Sequence, residues 1–168
     1  GHFTTARDLS VLATRLMKDF PEYVGYYAIQ HYRYPGTPKS NDTNRNTLLF
    51  RDPSVDGLKT GHTNAAGYCL VATSKRSVSG LGEGAAGQRR LLSVLLGASS
   101  ENARATESQK LLNWGYTAYE SVRLVKANTP VMELPVWKGK QSTVKSGLPD
   151  GVVASLPARR AAQVTTDV

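Results

Sequence analysis

Apolar residues recur at Leu9, Leu12, Ala13, Leu16, Met17 and Phe20, offsets of 0, 3, 4, 7, 8 and 11, which lay one stripe along an amphipathic helix. Thr4 or Thr5 can cap its start and Pro21 ends it. Tyr23 to Tyr34 is rich in aromatic residues and suits strand or turn; Pro35-Gly36-Thr37-Pro38 is a turn, and Asn41 to Asn46 a polar loop leading into Leu48-Leu49-Phe50. The period then shortens. Gly57 to Gly61 reads as a strand with one face exposed, and Gly67 to Ser74 and Arg90 to Leu96 as two strands of near-continuous apolar content. Between the last two, Gly80, Gly82, Gly84 and Gly87 mark Ser77 to Gly87 as a surface loop.

A second stripe, Leu111, Trp114, Gly115, Ala118, Tyr119 and Val122, predicts a helix from about Glu101 to Ser121. Strands that follow one another through a loop are most simply an antiparallel meander. Helix, meander and helix together predict an α+β fold, an antiparallel sheet packed with helices. Beyond Val122, short strand-like runs (Val131 to Trp137, Val152 to Leu156) alternate with Pro130, Pro135, Gly139, Gly147, Pro149, Gly151 and Pro157. We therefore expect one domain over residues 1–121 and the beginning of a small β-rich domain over 122–168.

Composition changes this picture little. The apolar and charged fractions are those of a folded globular chain, and no apolar run approaches the ~20 residues that cross a bilayer. The net charge of +8 suits an anionic partner, but the basic residues are scattered, the longest runs being pairs such as Arg89-Arg90. No zinc-knuckle, RNA-binding or basic-zipper pattern accompanies them, so no nucleic-acid partner is expected. Cys69, the single cysteine, precludes an intrachain disulfide and reads as a small core residue. No metal-ligand spacing, phosphate loop or cofactor signature is present, so neither metal nor cofactor is expected.

Chemistry concentrates at Lys59-Thr60-Gly61-His62-Thr63. A lysine on an exposed sheet face offers a fixed cation to a carboxylate, and the adjacent threonine hydroxyl can bond the same anion. The glycine leaves room for a ligand backbone to approach the strand, and the next backbone N–H can point at a developing oxyanion. The bare tripeptide Lys59-Thr60-Gly61 is weak evidence, since a surface strand explains it equally. Its context is not weak. Val55-Asp56-Gly57-Leu58 precedes it and Gly67-Tyr68-Cys69-Leu70-Val71-Ala72 follows it. Thr4-Thr5-Ala6-Arg7-Asp8, Asn44-Arg45-Asn46 with Leu48-Leu49, Arg104-Ala105-Thr106-Glu107-Ser108 with Leu111-Leu112-Asn113-Trp114-Gly115, and Pro135-Val136-Trp137-Lys138-Gly139 are arranged around it.

In this order the segments resemble the low-molecular-mass penicillin-binding proteins that are D-alanyl-D-alanine carboxypeptidases, over nearly the whole chain. The resemblance implies part of a penicillin-binding/serine β-lactamase-like domain, then the start of its C-terminal β domain. It implies that Lys59 lines the cleft, that Thr60 and Gly61 contact substrate, and that the backbone N–H of His62 is an oxyanion donor. It further implies that Arg104 helps recognise the substrate carboxylate. Arg45 is read equally as a cleft residue and as a solvated loop charge. The His62 side chain is expected to position or support, since no acidic partner is apparent to orient it.

The family's nucleophile lies in a Ser-x-x-Lys box that should precede Lys59, and none does. Ser142-Thr143-Val144-Lys145 matches literally but sits in a β region, where serine and lysine do not share a helix face; Ser100-Glu101-Asn102 is better read as a helix cap. The resemblance thus implies the C-terminal portion of a serine enzyme acting on peptidoglycan stem peptides ending in D-Ala-D-Ala. Its acyl-enzyme would be trapped by β-lactams, and its setting would be periplasmic, either free or associated with the inner membrane. The 168-residue chain alone is expected to be inactive, and to associate either with the missing N-terminal segment or with itself. A serine β-lactamase and a non-catalytic wall-binding module of the same fold remain as alternatives.

Overall fold

The computed structural model describes residues 3–78, 81 and 87–165. It divides into two compact units, Gly1–Arg76 with Arg90–Tyr116, and Ser77–Arg89 with Thr117–Val168. Most of the expected glycine loop, residues 79, 80 and 82–86, lies outside the described residues.

The first unit is built on a sheet of β1 (Val55–Thr63), β2 (Gly67–Ser77) and β3 (Gln88–Ala98), ordered β1-β2-β3, with β1 and β2 antiparallel from Gly57↔Thr73 to Thr63↔Gly67. Helices cover both faces, and the sequence alternation shows why. Val71, Leu92 and Val94, with Leu58, pack on α1 (Ala6–Asp19) through Leu9, Ala13, Leu16 and Met17. Their neighbours Leu70, Ala72 and Leu91, with Val55, pack on α3 (Leu48–Arg51) through Leu48 and Leu49 and on α4 (Glu101–Ala118) through Ala105 and Leu112. Successive strand side chains point to opposite faces, so a strand covered on both sides must be apolar throughout. The continuous runs in β2 and β3 have that cause.

Local signals set the helix ends. Thr5 Oγ1 accepts from the Asp8 amide at 3.1 Å, with Asp8 in the first turn and Lys18 in the last, each placed favourably for the helix dipole. Ser100 Oγ accepts from the Ala103 amide at 3.0 Å and so caps α4.

Several expected elements differ. From Tyr23, where strand or turn was expected, the chain is instead helical, closing the turn Pro21–Tyr23 and forming α2 (Val24–Tyr27), and the segment beyond holds the bridge His31↔Thr43 and a helical turn at Lys39–Asn41. Along α1, Leu12 and Phe20 of the stripe face solvent. α4 ends at Ala118 because Tyr119, Val122 and Val125 belong to β4 (Tyr119–Val125), paired with β7 (Val152–Pro157). Its buried face is Arg104, Ala105, Ser108 and Leu112, whereas Leu111 and Trp114 of the expected stripe are exposed. Two of the four buried positions are polar, so an apolar pattern could not find them. Cys69 is half-buried instead of core.

The second unit holds two antiparallel pairs, β4 with β7 and β5 (Thr129–Pro135) with β6 (Thr143–Leu148). Gly151, at φ +68°, turns the chain into β7, and a Cβ there would meet the Val125 carbonyl oxygen at 2.4 Å. Only glycine fits that turn. Arg89 Nη1 donates to the Tyr119 carbonyl at 2.9 Å, and Arg123 donates to the Leu81 carbonyl. The fold is thus α+β: a helix-packed antiparallel sheet and a β-rich C-terminal region.

Candidate functional site

β1 is an edge strand, hydrogen-bonded to β2 on one side. It is buried where it enters the sheet, at Val55, Gly57 and Leu58, and exposed from Lys59 onward, with Thr60 half-buried. Lys59, Gly61 and His62 therefore lie exposed along a strand edge that no other strand among the described residues pairs with, free to meet an extended ligand backbone. Lys59 Nζ donates to the Thr60 carbonyl.

Three contacts organise the far end of this strand. His62 pairs with Tyr68 in register, and their rings lie 4.0 Å apart between centroids. The Arg104 guanidinium lies over the same Tyr68 ring, 5.6 Å from its centroid. Arg104 Nη1 reaches the Gly61 carbonyl at 3.4 Å. Nη2 donates to the Arg45 carbonyl at 2.9 Å and to Glu101 Oε1 at 3.2 Å. With 3% of its surface exposed, this cation needs such partners, because a buried unpaired charge is strongly unfavourable. Its position on α4 brings the loop before α3 and the end of β1 to one guanidinium.

The loop is held as firmly on its other side. Asn44 Nδ2 donates to the Ile29 carbonyl at 2.9 Å, and Asn44 Oδ1 accepts from the Asn46 amide at 2.9 Å. The buried Asn46 donates through Nδ2 to the Gly57 carbonyl at 3.0 Å and accepts from the Leu48 amide at 3.2 Å. Arg45 sits between these two asparagines with its side chain exposed. Lys59, Thr60, Gly61, His62, Arg45 and Arg104 thus fall in one neighbourhood, five of them at the surface or half-buried and Arg104 beneath it. Chemically, the arrangement offers cations and a hydroxyl for an anion, and strand amides for a carbonyl oxygen.

Sequence reasoning missed Tyr68, Asn44 and Asn46 as parts of this site. The paired amides flanking Arg45 were the available signal, since asparagine side chains habitually fix turns through local backbone bonds. Ser142 immediately precedes β6, and Thr143, Val144 and Lys145 are its first residues, so the segment is strand and not helix. Among the described residues no cluster of histidine, cysteine and carboxylate side chains could hold a metal ion.

Residues 1–100 match the family profile described as D-alanyl-D-alanine carboxypeptidase, and residues 119–168 that of the penicillin-binding protein 5 C-terminal domain. The chain is 37% identical over 158 residues to the D-alanyl-D-alanine carboxypeptidase DacC of Escherichia coli, covering 94% of this chain and 36% of that protein. Against DacA of the same organism it is 33% identical over 161 residues, covering 95% of this chain and 37% of the relative. Penicillin binding protein 5 from Haemophilus influenzae superposes with a TM-score of 0.74 at 31% identity, covering 95% of this chain and 43% of that one. Penicillin-binding protein D2 from Listeria monocytogenes, solved in a cefotaxime-bound form, aligns at a TM-score of 0.52 and 29% identity over 66% of this chain and 40% of that one. The chain spans little more than a third of the length of the curated relatives it matches.

Proposed function

Because the chain belongs to the D-alanyl-D-alanine carboxypeptidase family, we propose that it forms the carboxylate-binding and oxyanion side of a serine carboxypeptidase cleft. The observation that carries this reading is the exposed edge of β1 from Lys59 onward, together with the buried Arg104, whose guanidinium reaches the Gly61 carbonyl on that strand and the Arg45 carbonyl on the neighbouring loop. A stem peptide ending in D-Ala-D-Ala lies along β1, its terminal carboxylate met by Thr60 and by Arg45, whose side chain is the freer of the two arginines. Arg104 contributes through its positive charge and by fixing the Arg45 and Gly61 carbonyls. Lys59 sets the electrostatic environment of the nucleophile, and the His62 N–H stabilises the tetrahedral oxyanion. His62 itself is held against Tyr68 and does not act as general base.

The serine comes from outside residues 1–168. It attacks the D-Ala-D-Ala carbonyl, expels D-alanine and leaves an acyl-enzyme that water hydrolyses; a β-lactam acylates the same serine. The setting is periplasmic, against the cell wall. No helix among the described residues is long and apolar enough to cross a membrane.

Fluorescent penicillin tests this directly. The 168-residue chain should remain unlabelled, whereas the longer protein that contains it should be labelled covalently and release D-alanine from a D-Ala-D-Ala peptide. Lys59→Ala in that protein should lower acylation by about 10²-fold or more, as loss of a positioned electrostatic group does. Fast penicillin turnover without D-alanine release would identify a β-lactamase instead. Failure of both reactions would leave a wall-binding module. Labelling of the short chain would overturn the placement of the nucleophile.

A further inference from the structure

β1, the strand that carries Lys59-Thr60-Gly61, begins at an irregularity. β1 and β2 pair as Val55↔Ser74 and then Gly57↔Thr73, so the register shifts between Val55 and Gly57 and Asp56 is the extra residue. A bulge bends a strand and interrupts its ladder, leaving the extra residue without a paired position. Here its carboxylate is gripped from the two other strands. Arg90 of β3 donates through Nη1 to Oδ1 and through Nη2 to Oδ2, both at 2.7 Å, in a two-pronged pair. Thr73 of β2 donates to Oδ1 at 2.5 Å, and Arg90 Nη1 also reaches the Thr73 hydroxyl at 3.2 Å. One carboxylate thereby ties all three strands together, two residues ahead of Leu58 and three ahead of Lys59.

The next residue is confined as well. The Gly57 carbonyl accepts from Asn46, and a Cβ on Gly57 would lie 3.2 Å from the Tyr27 Cβ. Downstream, the Gly61 carbonyl meets Arg104. The stretch from Leu58 to Thr60 thus has side-chain anchors at either end and its outer edge free. The upstream anchor matters because strand side chains alternate. A slip of one residue, which a bulge readily absorbs, would exchange the faces presented by Lys59 and Gly61 with those of Thr60 and His62. Two-pronged guanidinium–carboxylate bonding is directional enough to select one register.

We propose that Asp56, held by Arg90 and Thr73, is a positioning residue that locks the register of β1 and so fixes where Lys59, Thr60 and the His62 amide are presented. The register lock stands on the geometry alone; its consequence for catalysis rests on the function proposed above.

Hydrogen–deuterium exchange of the 168-residue chain tests the lock without any activity. Asp56→Asn should speed exchange of the β1 amides over residues 58–62 at least tenfold while leaving α4 within twofold. Arg90→Lys, which keeps the charge and loses the fork, should give a smaller increase in the same segment. Arg76→Gln, which cuts a different ion pair on the same sheet, should leave residues 58–62 within twofold. A uniform rise across β1, β3 and α4 with Asp56→Asn would mark a general structural role and overturn the lock, as would no change at 58–62. Should Asp56→Asn fail to fold, Thr73→Val removes one grip only and should still raise exchange at 58–62 about threefold, no rise again overturning the lock. In the longer protein, Asp56→Asn should reduce penicillin acylation at least tenfold at saturating penicillin, with Arg76→Gln near parent. If exchange responds and the parent protein has no acylating activity, the lock stands and the functional reading fails. If exchange does not respond, the lock fails whatever the activity.

Discussion

Asp52 shows how a side chain at the foot of β1 becomes a pH-dependent fastening. Burial pushes its carboxyl upward from the ordinary value of 3.8, but bonds from the Ser54 hydroxyl and amide, and then from Arg76, outweigh it, and the net direction is downward. Arg76 Nη2 lies 2.7 Å from Asp52 Oδ2, also donates to Asn113 at 2.8 Å, and stacks 4.4 Å from the centre of the Tyr116 ring. A carboxyl depressed in the folded state binds fewer protons there than when unfolded, so its contribution is complete above the unfolded value. It is lost as pH falls through the folded one. Asp52→Asn should therefore reduce stability most above the ordinary carboxyl value of 3.8, and the gap between parent and variant should narrow as pH falls below it. Urea unfolding across pH 2.5–7 measures this; a gap that stays constant with pH would refute the assignment.

The turn joining β1 to β2 carries both His62 and Tyr68, and one glycine decides its shape. Gly67 adopts φ +64°, and a Cβ there would lie 3.0 Å from both the Ala98 carbonyl oxygen and the Gly97 Cα, backbone atoms that cannot swing aside. Gly67→Ala should cost about 1–3 kcal/mol, as strained left-handed positions do. It should also weaken binding at the β1 edge, because the His62–Tyr68 ring contact is built on that turn. Thermal unfolding and ligand titration on the longer protein check both, and an unchanged melting temperature would exclude the strain. This element also shows what a sequence can disclose. The runs in β2 and β3 were legible because burial on two faces requires unbroken apolar residues, and Lys59-Thr60-Gly61 was legible through the ordered segments around it, the bare tripeptide being equally at home on any surface strand. The buried face of α4 was not, since Arg104 and Ser108 are polar and are satisfied or enclosed only by tertiary partners. β4 was hidden for a related reason: Tyr119 and Val122 fit a helical stripe equally well, and only pairing with β7 selects the strand. The roles of Asn44, Asn46 and Tyr68 depend on contacts between segments far apart in sequence, which local patterns do not encode.

At the scale of the whole chain, two properties pull in opposite directions. The net charge of +8 opposes contact between copies and favours contact with acidic polymers. The exposed apolar side chains favour association: Leu12 and Tyr26 are 65% and 67% exposed, Trp137 87%, and the outer edge of β1 is unpaired among the described residues. Salt separates the two. Raising ionic strength from about 0.01 M to 0.15 M shortens the screening length from about 30 Å to about 8 Å, which weakens charge–charge interaction while leaving apolar burial intact. Self-association, measured as mass by light scattering, should therefore increase over that range, while retention on an acidic cell-wall polymer should decrease. A monomer at both salt concentrations would show that the exposed apolar groups are too dispersed to form an interface. Association that falls with salt would instead trace it to charge, and the edge of β1 would then remain available to a peptide with nothing competing for it.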